Sequence, residues 1–205
     1  MAELITESPV VWVLLLMSVV ALTIILIKLW QMFQLRPEAH EVVESALHEW
    51  ITGNRQDGLK TAMSNSFGAD IVRRAMHGMQ KGTNEAALRE DLERRALAQL
   101  NGLRSLLPAL EAIATLSPLL GLLGTVLGMI EAFQAMEAAG SRVDPSTLSA
   151  GIWQALLTTA IGLTVAIPTL AVYNWLDRKV QRSSNWLDDV ITRLFTSQRG
   201  VEVED

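Results

Sequence analysis

Three long apolar runs decide what this chain can fold into. Val10 to Ile27 is broken only by Ser18 and Thr23, and Ala112 to Ile130 and Ile152 to Tyr173 are the other two. A hydrocarbon layer about 30 Å thick is crossed by a helix of about 20 residues, and each run is close to that length. Lipid satisfies no backbone N–H or C=O, so a spanning segment of this kind is a helix. The chain is therefore expected to be an all-α integral membrane protein with three transmembrane helices. The stretch MAELITESP ahead of the first run holds no Lys or Arg, and that run is longer than the apolar core of a secretory signal, so it is expected to remain as a membrane helix.

Basic residues set the orientation. The segment from Lys28 to Glu111 carries eleven Lys or Arg and the tail after Asn174 carries five, whereas the loop at 134–150 has only Arg142 and the first nine residues have none. The positive-inside rule then places the N-terminus outside and the C-terminus in the cytoplasm. The predicted organisation is a periplasmic N-terminus (1–9), a first span (10–30), a cytoplasmic helical segment (31–111), a second span (112–133), a periplasmic loop (134–150), a third span (151–174) and a cytoplasmic C-terminal helix and tail (175–205). Trp12 and Trp30 bracket the first span and Trp153 and Trp175 the third, where interfacial aromatics belong.

Within the cytoplasmic segment, Pro37 suits a first helical turn, and Val43, Leu47, Trp50 and Ile51 follow at helical spacing. Short helices are expected near 56–63 and 69–80. Thr83, with Glu85 close behind, opens a pattern with no obligatory stop before Gly140, so a single rod is expected to run from cytoplasm through membrane, bent at Pro108 and Pro118. Asp144-Pro145 reads as an N-cap and first helical position. The helix begun there is expected to extend to about Thr196, with the polar stretch from Asp188 fraying. Both the second and third spans thus carry long cytoplasmic extensions.

Several function classes have no support. With no cysteine there is neither a disulfide nor a thiolate metal site, and a net charge of −5 gives no footprint for nucleic acid. No histidine lies in a span, and no G-x-S-x-G, H-E-x-x-H or P-loop is present. His40, His48 and His77 lack ligand spacing. Neither an enzyme nor a cofactor or metal site is expected.

The polar residues inside the spans are more informative. Thr125 lies 13 residues above Ala112, about 20 Å from the inner edge, and Thr159 lies 14 residues from Tyr173, about 21 Å. Depth alone brings these two threonines to one level, as a polar lining requires. The alternative is a hydroxyl that bonds its own helix's carbonyl or joins two helices, the role assigned to Thr164 and Thr169. Gln154 points about 140° away from Thr159 around the helix, toward a pore or toward a neighbouring helix. Gly121, Gly124 and Gly128 share one face of the second span, and Gly151, Ala155 and Thr159 repeat small residues every four on the third, so close packing is expected. Neither Asp, Glu, Lys, Arg nor His occupies the middle of a span, and Glu131 stands at the outer end of the second. An ion path usually needs an ionisable group in the membrane, so here a partner would have to supply it.

The stretches LSPLLGLLGTVLGMIEAF (116–133) and AGIWQALLTTAIGLTVAIPTLAVYN (150–174) resemble the second and third transmembrane motifs of the MotA/TolQ/ExbB proton-channel family. Three spans favour its ExbB/TolQ branch, the ExbB-like type in preference, because MotA-type members have four. The resemblance implies a homopentameric ring in the bacterial inner membrane, enclosing two copies of a single-span ExbD/TolR-type partner whose transmembrane Asp carries the proton. It implies that Thr125 and Thr159 line the path, with Gln154 and Thr158 as further pathway candidates, and that Gly121, Gly124, Gly128, Gly151, Gly162 and Pro168 serve helix packing. Pro168 and Asn174 match the end of the third motif. Gln154 stands where many relatives carry Glu, and an amide cannot titrate. The implied activity is that of the pore-forming ring of a proton-motive-force-driven motor, passing work to a TonB-like protein or an envelope-spanning complex. A non-conducting scaffold with cytoplasmic docking helices is the rival expectation.

Overall fold

The structure, a computed structural model, describes residues 9–35, 40–62, 67–139 and 145–201. Every regular element among them is a helix: α1 Pro9–Leu35, α2 Glu41–Ile51, α3 Arg55–Thr61, α4 Ala69–Gln80, α5 Glu85–Arg104, α6 Leu107–Ala139 and α7 Pro145–Val201. Three helical stretches, within Pro9–Gln34, Glu85–Ala138 and Leu148–Ser197, are long and apolar enough to cross a membrane. Pro37 and Asp144, expected to start helices, lie outside the described residues.

The chain forms two compact units. One joins the chain up to Lys28 with Leu106–Trp175. In it α1 buries Val10, Val11, Leu14, Ala21 and Ile24, which return every three or four residues to one side. Its other sides are as apolar as the buried one: Leu16, Val19, Leu22 and Leu26 are exposed, as are Leu119, Leu122 and Val126 of α6 and Leu156 and Ile167 of α7. Water would penalise so much bare hydrocarbon, whereas lipid tails do not distinguish it from their own surroundings. The burial pattern of this unit is that of a membrane protein. Trp12, Trp153 and Trp175 all expose their rings here.

The other unit joins Leu29–Ser105 with the chain from Leu176 onward. It is built as a water-soluble core. Val43, Ala46, Leu47 and Trp50 of α2, Ile71, Val72, Ala75 and Met76 of α4, and Leu88, Leu92, Ala96 and Leu100 of α5 are buried, together with Leu176, Val180, Leu187, Val190, Ile191 and Leu194 of α7. Each set follows the spacing that keeps one helix face inward. Trp186 is the hinge of this packing: Gly68, at φ +79°, brings the chain so near that a Cβ there would stand 2.9 Å from the indole. The Trp186 Nε1 donates to Glu44 Oε1 at 3.0 Å, and the Arg193 Nη2 donates to the same oxygen at 2.7 Å. The His40 ring lies 3.9 Å from the indole, centroid to centroid. Burial pushes the Glu44 carboxyl up, but the hydrogen bonds from Arg193 and Trp186 outweigh it and hold the group below its usual range.

Four expectations are corrected. The rod from Thr83 to Gly140 is two helices: α5 ends at Arg104, and Leu106 adopts φ +65° before α6 begins at Leu107. Pro108 explains why. In a continuous helix its ring would press on the Arg104 carbonyl, whereas in the first turn of α6 its missing N–H costs nothing. The cap of α5 is Asn84 rather than Thr83, its side chain accepting from the Ala86 N–H at 3.0 Å and the Ala87 N–H at 3.2 Å, as an N-cap amide does. Ile51 is exposed, unlike Val43, Leu47 and Trp50, because α2 ends there. The stretch from Asp188 does not fray early, since α7 continues to Val201, anchored by Val190, Ile191, Leu194 and Phe195.

Candidate functional site

The site candidates meet where α6 and α7 run side by side within the membrane unit. Glycine makes the approach possible. A Cβ on Gly124 would stand 2.6 Å from Thr158 Oγ1, one on Gly162 2.6 Å from the Ser117 carbonyl oxygen, and one on Gly151 2.5 Å from Ala132 Cβ. Gly121 faces Thr158 and Thr159 at 3.1 Å, and Gly128 faces Ala155 at 3.3 Å. The antiparallel register is therefore Ser117 with Gly162, Gly121 with Thr158 and Thr159, Gly124 with Thr158, Gly128 with Ala155 and Ala132 with Gly151. On α7 the contact line runs 151, 155, 158, 162, the alternating four-and-three step of close helix pairs, rather than the strict every-four line through Thr159.

That step settles where the polar side chains fall. Thr158 is 2 % exposed, closed in the seam. Its hydroxyl donates to the Ala155 carbonyl at 2.7 Å and approaches the Gly121 carbonyl at 3.4 Å. Within the single chain the heptad-like step turns Thr158 inward, into the packed seam. Thr159 is half-buried at one edge of the seam and donates across it to the Gly121 carbonyl at 3.2 Å. Thr125, also half-buried, donates to the Leu122 carbonyl of its own helix at 2.6 Å.

Gly124 meets Thr158 while Gly121 meets Thr159, so each edge of α6 is matched to one edge of α7. Thr125 projects from the Gly121 side of α6. Thr125 and Thr159 therefore share an edge. Thr159 is level with Gly121, one turn or about 6 Å from Thr125. Gln154 is half-buried on the opposite edge, and the structure does not bring it together with the two threonines.

Thr164 and Thr169 bond within their own helix, as expected. Thr164 donates to the Ala160 carbonyl and Thr169 to the Val165 carbonyl, both at 2.7 Å. Ser117, unremarked in the sequence, donates to the Ile113 carbonyl at 2.7 Å and is fully buried. Its signal was present in its spacing of four before Gly121. Pro168 is exposed and does not pack within the subunit, because the inward positions of that part of α7 are Ala166 and Thr169. Glu131 is exposed at the far end of α6.

The seam is thus an apolar helix pair held close by glycines, with two hydroxyls on one edge and no charge along it. Residues 63–189 match the MotA/TolQ/ExbB proton channel family. The chain belongs to that family. Among its relatives, the biopolymer transport protein exbB1 of Vibrio cholerae is 37% identical over 120 residues, 57% of this chain and 51% of that one. The Tol-Pal system protein TolQ of Haemophilus influenzae is 36% identical over 106 residues, 50% of this chain and 46% of that one. ExbB of Helicobacter pylori is 48% identical over 73 residues, 36% of this chain and 50% of that one. The chain spans about half the length of the relatives it matches. Relatives named ExbB and TolQ agree with the ExbB/TolQ branch that the three-span pattern favours.

Proposed function

We propose that this chain is the ring-forming pore subunit of a proton-driven motor of ExbB/TolQ type in the bacterial inner membrane. Its N-terminus faces the periplasm, five copies assemble, and a single-span ExbD/TolR-type partner, in two copies, inserts a transmembrane Asp. The observation that carries this reading is the edge shared by Thr125 and Thr159 on a seam with no ionisable side chain. Hydroxyls can solvate a carboxyl that gains and loses a proton, but they cannot hold the proton themselves at physiological pH. The acid must come from elsewhere, and each subunit offers it a polar station in otherwise apolar surroundings. Membrane potential supplies about 2.3 kcal/mol per charge for each 100 mV, enough to bias the partner's position as its Asp is neutralised and recharged. The work passes to the partner's periplasmic part and on to a TonB-like protein or an envelope-spanning complex. On this reading the chain is a channel component and not an enzyme.

The test is Thr159→Val. The lost hydrogen bond to the Gly121 carbonyl costs about 0.6 kcal/mol in a membrane setting, and that carbonyl keeps its in-helix partner, so the assembly should survive. Proton flux into liposomes holding this chain and its partner should fall at least tenfold. Undiminished flux in Thr159→Val would remove the role. The rival scaffold reading draws on the hydroxyls of Thr125, Thr158 and Thr159 each donating to a carbonyl. Wild-type liposomes that conduct no protons with the partner present would favour it.

A further inference from the structure

In the unit that holds α2 to α5, α3 and α4 line an open pocket of about 450 Å³ formed by Leu59, Lys60, Arg73, Arg74 and His77. Pockets that hold small molecules commonly range over about 300–1,000 Å³. Among the described residues its lining joins the apolar Leu59 to nitrogen-bearing side chains, and cationic groups of two helices converge on one hollow. That convergence runs against the overall charge of the chain, which is −5.

Two carboxylates lie among these cations. Asp57 pairs with Lys60 at 3.1 Å. Asp70 is shared, one oxygen accepting from Arg73 Nη2 and the other from Arg74 Nε at 3.2 Å. Lys60, Arg73 and Arg74 against Asp57 and Asp70 leave an excess of one positive charge. A single carboxylate taking one nitrogen from each of two guanidiniums also fixes both planes. Each guanidinium has five N–H donors, so a second, larger oxyanion can be gripped without breaking the Asp70 pairs. Arg73 and Arg74 retain side-chain exposures of 42% and 47%. His77, one turn further along α4, faces the same hollow.

We propose that this pocket binds a phosphate-bearing anion, with the phosphate held by Arg73, Arg74 and Lys60 and the organic part resting on Leu59. Guanidinium forks match phosphate oxygens two at a time, and the apolar wall suits a glycerol or similar body. Phosphate of this kind reaches a membrane protein either as a free organic phosphate or as a phosphatidylglycerol head group. The site stands whether or not the chain conducts ions, since it shares no residue with the α6–α7 seam.

The experiment uses the full chain with two probes: inorganic pyrophosphate titrated calorimetrically into detergent-solubilised protein, and nanodiscs of phosphatidylglycerol compared with phosphatidylcholine. Saturable pyrophosphate binding that weakens with salt identifies a free phosphate. Preference for phosphatidylglycerol without it identifies the head group. In either case Arg74→Ala should weaken binding about tenfold, the loss of one charge-assisted contact. Asp70→Asn keeps the shape at the start of α4 and removes the competing negative charge, so it should tighten binding severalfold. This second variant separates an anion site from a purely structural ion-pair cluster, which it would only weaken. Absence of binding to both probes in folded wild-type protein, or affinity unaltered by Arg74→Ala and Asp70→Asn, would overturn the proposal.

Discussion

At Gly162 the third membrane helix passes the second so closely that no side chain fits between them. The atom that a Cβ would strike, 2.6 Å away, is the Ser117 carbonyl oxygen, which cannot rotate aside as a side-chain terminus can. Gly162→Ala therefore has to push α6 and α7 apart along their whole contact line, at a cost of about 1–3 kcal/mol that exceeds the gain in helix propensity. A net loss of about 1–2 kcal/mol is expected, read as a lower melting midpoint in detergent. Gly102 is the control: a Cβ there meets nothing within 4 Å, and Gly102→Ala in α5 should gain about 0.5 kcal/mol. Equal shifts in the two variants would contradict the seam. The glycines were legible in the sequence because their spacing is itself the signal. Which threonine they enclose was not, because Thr158 and Thr159 are adjacent and a one-residue change in the contact step exchanges their places.

At the scale of elements, apolar periodicity located the helices well, and α4 falls at 69–80 as expected. The break between α5 and α6 escaped it. Helix formers run through 85–104 and apolar residues through 107–139, and Pro108 is compatible with both a bend and a fresh start. What decides is the left-handed turn at Leu106, φ +65°, a conformation that costs an L-residue about 1–2 kcal/mol and leaves no mark on local composition. Leu106 is 43% exposed, so little packing is lost on replacing it. Leu106→Gly should then raise stability by about 1 kcal/mol in thermal unfolding, whereas Leu106→Val, β-branched and strained there, should lower it. A gain from valine would mean that the two helices prefer to fuse.

For the molecule as a whole, the least legible contact joins residues almost 150 positions apart. The Arg193 guanidinium and the Trp186 indole, both on α7, converge on Glu44 of α2, and no local pattern announces a pairing between α2 and the later turns of α7. The polar run after Asp188 looked unanchored because its anchor lies so far away in sequence. Glu44 is held below its usual carboxyl range in the folded chain, so the unfolded chain binds its proton more tightly. The stabilisation is accordingly complete above the unfolded value, about 4.3, and is lost as pH falls through the lower folded value. With Glu44 38% and Arg193 41% exposed, solvent screening limits it to about 0.5 kcal/mol. Glu44→Gln should therefore be less stable than wild type by about that amount in urea unfolding at pH 7, and the gap should close as pH falls through the lowered folded value of Glu44. High salt should narrow the neutral-pH gap as well, since both partners face water. A gap that stays constant from pH 7 to pH 3 would show that the charge of Glu44 adds nothing to the hold on α7.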